Sequence, residues 1–125
     1  MVEGLARFAG QRTVLLTTFR RDGTAVGTPV NIAVEGNCAF VRTFDTAWKL
    51  KRIKNNPVVR IAPSTARGKP TGPAIRVRAR VLSGDEAAHA SRAIDKKYPV
   101  LHGILVPLIH RVRGNKTIHF EFTAA

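Results

Sequence analysis

The segment TVLLTTFRRDGTAVGTPVNIAV, residues 13–34, sets two β-branched, apolar runs on either side of Asp22-Gly23. An Asp-Gly between such runs is a hairpin signal, because glycine tolerates the positive φ that a tight turn needs. Strands are therefore expected over Thr13–Phe19 and about Ala25–Val34. Glu35-Gly36-Asn37 reads as another turn and Cys38–Thr43 as a third strand, which completes an antiparallel meander.

On the amino-terminal side, Leu5, Ala6, Phe8 and Ala9 recur at helical spacing within Val2–Gln11, and Gly10 can close that turn. On the other side the period changes to three or four residues through Ala47, Leu50 and Ile53. Thr46 suits the cap of this helix, and Asn55-Asn56-Pro57 stops it. Val58–Ala62 returns to strand character, and Pro63–Pro73 is a Gly- and Pro-rich loop. In Ala74–Leu82, Ile75, Val77, Ala79 and Val81 alternate with Arg76, Arg78 and Arg80, the pattern of a half-buried strand. Ser83-Gly84-Asp85-Glu86 opens a helix running to Lys97, with acids where the helix dipole favours them. A second helix is expected from near Pro99, and Thr117–Thr123 closes the chain as a strand. Six strands, turn-linked and with few helices, make a mainly β chain, a small antiparallel barrel with flanking helices over residues 1–125 as a single domain.

The chain has 125 residues with 44% hydrophobic content, enough for a packed core and short of what usually divides into two domains. It carries 21 Lys and Arg against 8 Asp and Glu, a formal charge of +13. Such a field favours anionic partners: nucleic acid, phosphorylated small molecules or an acidic membrane surface. The single cysteine, Cys38, excludes an internal disulfide and a multi-thiolate zinc site, and reads as a small core residue. The uncharged stretch Tyr98–Ile109 is too short and too broken by Pro99, Gly103 and Pro107 to span a bilayer. No secretory signal opens the chain, so a soluble cytoplasmic protein is expected.

The positive charge is uneven. Between Arg42 and Lys69 stand eight basic residues and one acid, Asp45, a net +7. A solvated helix face beside a loop accounts for this, and so does an anion site. Lys49 and Arg52, three apart, share a helix face and could reach one phosphate. Arg67-Gly68-Lys69-Pro70 is not a phosphate-binding loop, since Pro63 and Pro70 occupy the places of the first glycine and the hydroxyl residue. His89, His102, His110 and His119 lack metal-pair spacing and read as structural or surface residues. Serines 64, 83 and 91 lack a nucleophile-elbow setting. With no side-chain catalytic constellation in view, an enzyme of this sequence would need a bound cofactor to do the chemistry. Specific nucleic-acid binding is disfavoured by aromatics interleaved in strands without an RNP-like pair.

Several pieces occur in a telling order: Leu15-Leu16-Thr17-Thr18, Asp22-Gly23-Thr24, Gly27-Thr28-Pro29-Val30, Phe40-Val41-Arg42-Thr43 and Lys49-Leu50-Lys51-Arg52-Ile53-Lys54-Asn55-Asn56-Pro57-Val58. This set resembles the pyridoxamine 5'-phosphate oxidase-like split β-barrel superfamily, a flavin mononucleotide-binding fold. Thr65–Pro73 and Arg78-Ala79-Arg80 are similar to its actinobacterial subgroup of deazaflavin (coenzyme F420)-dependent reductases. The resemblance covers roughly residues 5 to 123. It implies a six-stranded antiparallel split barrel in which Thr28, Pro29, Val30 and Asn31 line the flavin-like ring. Arg42 and Thr43 would approach the linker and phosphate, and Lys49 would hold the phosphate. Trp48 and Arg52, with Arg67, Gly68 and Lys69, complete the implied cofactor-binding set, with no catalytic side chain and no metal ligand. Trp48 and Thr28 stand where flavin mononucleotide-binding relatives carry arginines, which leans the resemblance towards F420, whose polyglutamate tail suits the positive charge. The implied protein is a homodimer with its cofactor groove at the subunit interface, and the apolar Leu101–Ile109 helix could equally be core or part of that interface. It would be an oxidoreductase passing hydride from reduced deazaflavin to an organic acceptor. A non-catalytic F420 carrier and a flavin mononucleotide oxidase are the alternatives.

Overall fold

In the first hairpin, Asp22 Oδ1 accepts a hydrogen bond from the Thr24 amide at 2.9 Å, and Gly23, at φ 88°, donates its amide to the Arg20 carbonyl. The turn joins β1 (Thr13–Phe19) to β2 (Ala25–Asn31), paired from Thr13↔Asn31 to Phe19↔Ala25. The computed structural model describes residues 4–44, 48–97 and 117–125, leaving out the side chains of residues 44 and 48–50. The expected Thr46 cap, the helix from near Pro99 with its Leu101–Ile109 stretch, and His102 and His110 lie outside the described residues.

The remaining elements are β3 (Ala33–Glu35), β4 (Cys38–Phe44), α1 (Trp48–Asn55), β5 (Val58–Pro63), β6 (Ile75–Leu82), α2 (Gly84–Lys97) and β7 (Thr117–Ala124). A short 3₁₀ turn, Gly4–Phe8, replaces the opening α-helix suggested by spacing, and it buries Leu5 and Phe8. The strands form one antiparallel sheet in the order β2-β1-β5-β6-β7-β4-β3.

The strand expected over Ala25–Val34 is two strands, which raises the count from six to seven. Its halves pair with different partners, β2 with β1 and β3 with β4, so the two ends of the sheet order are consecutive in sequence. Only Ile32 separates them. Its side chain is fully buried, and its amide bonds to the Arg12 carbonyl at 3.1 Å. The chain itself thus curls the sheet into the split barrel that the sequence resemblance implies.

Alternation then sorts the side chains as the sequence suggests. Val14 and Leu16, Val59 and Ile61, Val77 and Ala79, and Phe120 and Phe122 point inward into one core, while Arg76, Arg78 and Arg80 point out. A smaller cluster lies on the outside of the barrel, where Ala90 and Ile94 of α2 cover Phe40 and Leu82. Among the described residues, no helix is long and apolar enough to cross a membrane.

The last residue of α2 ties the two layers together. Lys97 Nζ donates to the Gln11 carbonyl and, at 2.7 Å, to the Ile32 carbonyl. Lys97→Met keeps the apolar stem but removes these donors, and should lower unfolding free energy by about 1–3 kcal/mol in urea titrations. Burial, with Arg12 nearby, pushes the Lys97 ammonium below its ordinary pKa. Between that lowered value and the unfolded value of about 10.4, the unfolded chain holds a proton that the folded one has released. Stability should therefore gain a rising contribution with pH across this alkaline window, and Lys97→Met should lose it.

Candidate functional site

Strand β2 lies at an end of the sheet order and bonds only to β1, so its other edge pairs with no strand among the described residues. Along it Val30 is buried in the core, Thr28 and Asn31 are half-buried and Pro29 is exposed. Val30 therefore offers backbone alone, while Asn31 Oδ1 accepts a hydrogen bond from Thr13 Oγ1 at 3.1 Å. The Pro63–Pro73 loop folds back over this strand. Its neck is closed by Thr71 N–H to the Pro63 carbonyl at 2.8 Å and by a bridge between Ser64 and Pro70. Gln11 Nε2 holds the Ser64 carbonyl from the other side at 3.0 Å.

At the tip, Gly68 donates its amide to the Thr65 carbonyl, and Lys69 N–H is held by Thr65 Oγ1 at 3.1 Å. Gly68 sits at φ 92°, with its missing side chain aimed at the Pro29 ring: a Cβ there would come 3.4 Å from Pro29 Cδ. The fold thus brings Pro29 and Gly68 together, while Arg67 and Lys69 stay exposed beside them.

Helix α1 opens on Trp48 and Lys49, whose side chains lie outside the described residues. One turn on, Arg52 Nε donates to the buried Thr18 Oγ1 at 2.6 Å, which docks the helix on β1. Beside it, Arg20 and Arg21 of the first turn meet Lys51, Arg52 and Asn55 around a cavity of about 530 Å³. Burial, and then the nearby Arg20 charge, lowers the Arg52 pKa.

Arg42 goes elsewhere. Its side chain is only 7% exposed and runs under α2, donating to Asp95 Oδ1 at 3.0 Å, to Ser91 Oγ at 2.9 Å and to His119 Nε2 at 3.3 Å. Thr43 beside it is buried. Arg42 is thus held on the α2 side of β4, while Thr43, next to it in the strand, turns to the opposite face. His119 is buried against Arg42, and His89 is a surface residue paired with Glu35. Cys38 is half-buried, donating its thiol to the Glu35 carbonyl at 3.2 Å, and burial pushes its pKa up. Among the described residues no cluster could hold a metal ion.

Sequence reading missed Arg20, Arg21 and Thr18. No sequence motif marks the two arginines, and only the return of α1 to the same end of the barrel gives them a shared cavity. Gly68 yields a test of the loop. Gly68→Ala forces an L-residue into the left-handed region and should cost about 1–2 kcal/mol of stability. Gly10→Ala, with open space around it, should be near neutral in the same denaturation assay.

No protein-family model and no curated protein matches the sequence. Solved structures do match. A candidate pyridoxamine 5'-phosphate oxidase from Listeria innocua superposes with a TM-score of 0.66 at 13% identity, covering 95% of this chain and 88% of that one. A heme storage protein from Vibrio cholerae gives 0.70 at 13% identity, covering 95% and 86%. An F420 reductase gives 0.61 at 17% identity, covering 100% and 96%. At these identities the likeness is one of architecture, and its content is that the chain has the pyridoxamine 5'-phosphate oxidase-like split β-barrel fold.

Proposed function

We propose that the chain is a deazaflavin-dependent oxidoreductase, binding coenzyme F420 along β2 and passing hydride from the reduced cofactor to an organic acceptor. The observation that carries this reading is the open edge of β2 over Thr28–Asn31 with the Gly68 loop laid against Pro29. A strand edge presents fixed backbone donors and acceptors, and here its side chains are small, which suits a flat heterocycle with a polar rim. From Val30 to the turn at Gly23 the strand runs roughly 20 Å at about 3.3 Å per residue. That length leads from the ring site to the basic end of the barrel. The solved F420 reductase of the same fold supports the reading.

Within this proposal the residues fit the group. Thr28, Pro29, Val30 and Asn31 would orient the ring, Lys49 and Arg52 on α1 would hold the phosphate, and Arg67, Gly68 and Lys69 would close over the ring. The bound cofactor supplies the redox chemistry, and the chain supplies position, positive charge and shelter from water. The proposed working form is a cytoplasmic homodimer of single-domain subunits, with the groove at their interface. Thr28 and Trp48, which stand in place of phosphate-binding arginines, favour the deazaflavin over flavin mononucleotide.

The chain should accordingly bind F420 at least about tenfold more tightly than flavin mononucleotide, some 1.4 kcal/mol, in titrations followed by fluorescence quenching. Equal or tighter flavin binding would overturn the assignment. Bound reduced cofactor should also be oxidised by at least one planar, conjugated acceptor faster than free cofactor is. A panel of quinones and enones in stopped flow reads this, and uniform rates would point to a carrier.

Lys49→Ala should weaken F420 binding by about 2–3 kcal/mol, the loss of a charged partner in a partly desolvated groove. That is roughly a thirty- to hundredfold change in Kd. Exposed Lys54, at the far end of α1, should contribute much less. Similar losses at both positions would mean diffuse attraction in place of a phosphate site.

A further inference from the structure

The Pro63–Pro73 loop is bonded to itself at every level. At its tip, Thr65 N–H donates to the Lys69 carbonyl and Gly68 N–H to the Thr65 carbonyl, each at 2.9 Å, and Thr65 Oγ1 accepts from the Lys69 amide. At its neck, Thr71 N–H meets the Pro63 carbonyl, and Ser64 bridges Pro70. A small hairpin tied this way turns as one piece. Whatever fixes its neck therefore sets where Gly68 points. The contact of Gly68 with Pro29 is a handful of carbon approaches, each individually slight, and does not by itself hold the loop in place.

Two side chains of the amino-terminal segment grip that neck from outside. Gln11 Nε2 carries two N–H groups and meets two carbonyls, that of Ser64 at 3.0 Å and that of Thr13, at the start of β1, at 2.8 Å. One amide thus ties the foot of the loop to the first residue of the barrel. Ser64 is buried, so water is a poor substitute for the donor. The Gln11 backbone is pinned in turn, its amide on the Phe8 carbonyl at 2.9 Å and its carbonyl under Lys97 Nζ. At the other foot of the loop, Arg7 Nη2 donates to the Pro73 carbonyl at 2.6 Å, its guanidinium lying over the Phe8 ring at 4.9 Å.

We infer that Gln11 and Arg7 are positioning residues for this loop, aiming Gly68 at Pro29 and so setting the geometry beside β2 without belonging to the site. The consequence for cofactor affinity rests on the proposed deazaflavin reading, whereas the aiming of the loop does not.

The test is the NOE between Gly68 Hα and Pro29 Hδ in the labelled whole protein without cofactor, which the close approach of the two residues makes strong. Gln11→Glu keeps the shape but sets acceptors against two carbonyls. It should lose this NOE while the cross-strand NOEs of β1 with β2 persist. Gln11→Lys changes the shape but keeps a donor and should retain it, whereas a mere packing role would rank the two variants the other way. Titrated in parallel, Gln11→Glu should weaken F420 binding by about five- to tenfold, the worth of roughly one hydrogen bond. Gln11→Lys should weaken it less. Thermal melts show which variants fold, and Arg7→Met, an exposed change, replaces Gln11→Glu if that one does not. An NOE absent from the parent, unchanged in Gln11→Glu or its replacement, or lost equally in Gln11→Lys would overturn the inference. So would a lost NOE with F420 affinity unchanged. If the parent binds no F420, the deazaflavin reading fails and the NOE alone decides whether these residues aim the loop.

Discussion

The arrangement depends on the backbone bend at Ile32. Two strands consecutive in sequence must occupy opposite ends of a seven-stranded order, and a single residue spans the change. The bend is held from three sides: by the buried Ile32 side chain, by its amide on the Arg12 carbonyl, and by Lys97 on its own carbonyl. Because the side-chain period of a strand is two, this pinned register fixes which face of every strand turns inward. It also leaves β2 with an open edge beside the Pro63–Pro73 loop, the feature on which the cofactor reading rests.

The fold separates its charges. The ion pairs of Arg42, Arg80 and His89 all lie among β3, β4, β6, β7 and α2, where Asp95, Glu86, Glu121 and Glu35 answer them. The opposite end, built from the first turn, α1 and β5, gathers Arg20, Arg21, Arg52 and Arg60. A net charge read from composition therefore understates the local field there, because most acids within the described residues are spent at the other pole.

Much of this was legible in the sequence where local chemistry decides the outcome. The Arg76, Arg78 and Arg80 alternation, the Asp22-Gly23 turn and the Pro57 stop each have a local physical cause, and each lies where expected. The break at Ile32 was not legible, because Asn31-Ile32-Ala33 contains no glycine or proline and the bend is imposed by partners from Arg12 and Lys97. A lone arginine in a strand reads as exposed, so the burial of Arg42 could not be read before Asp95 and Ser91, some fifty positions away, were placed beneath α2. The basic cavity beside α1 was hidden for a similar reason, since its halves lie about thirty residues apart.

The position of β7 between β6 and β4 governs how the chain can reach this state. Its partners on β4 precede it by some eighty residues, as Ala39 does Phe122. Until Thr117–Ala124 has left the ribosome, β4 and β6 each present an unpaired edge, and Phe120 and Phe122 are missing from the core. Contacts of such long sequence separation form late, because the intervening loop must close before any pairing rewards it. Until β7 pairs, the folding chain therefore carries two open strand edges, and barrel closure is a late step.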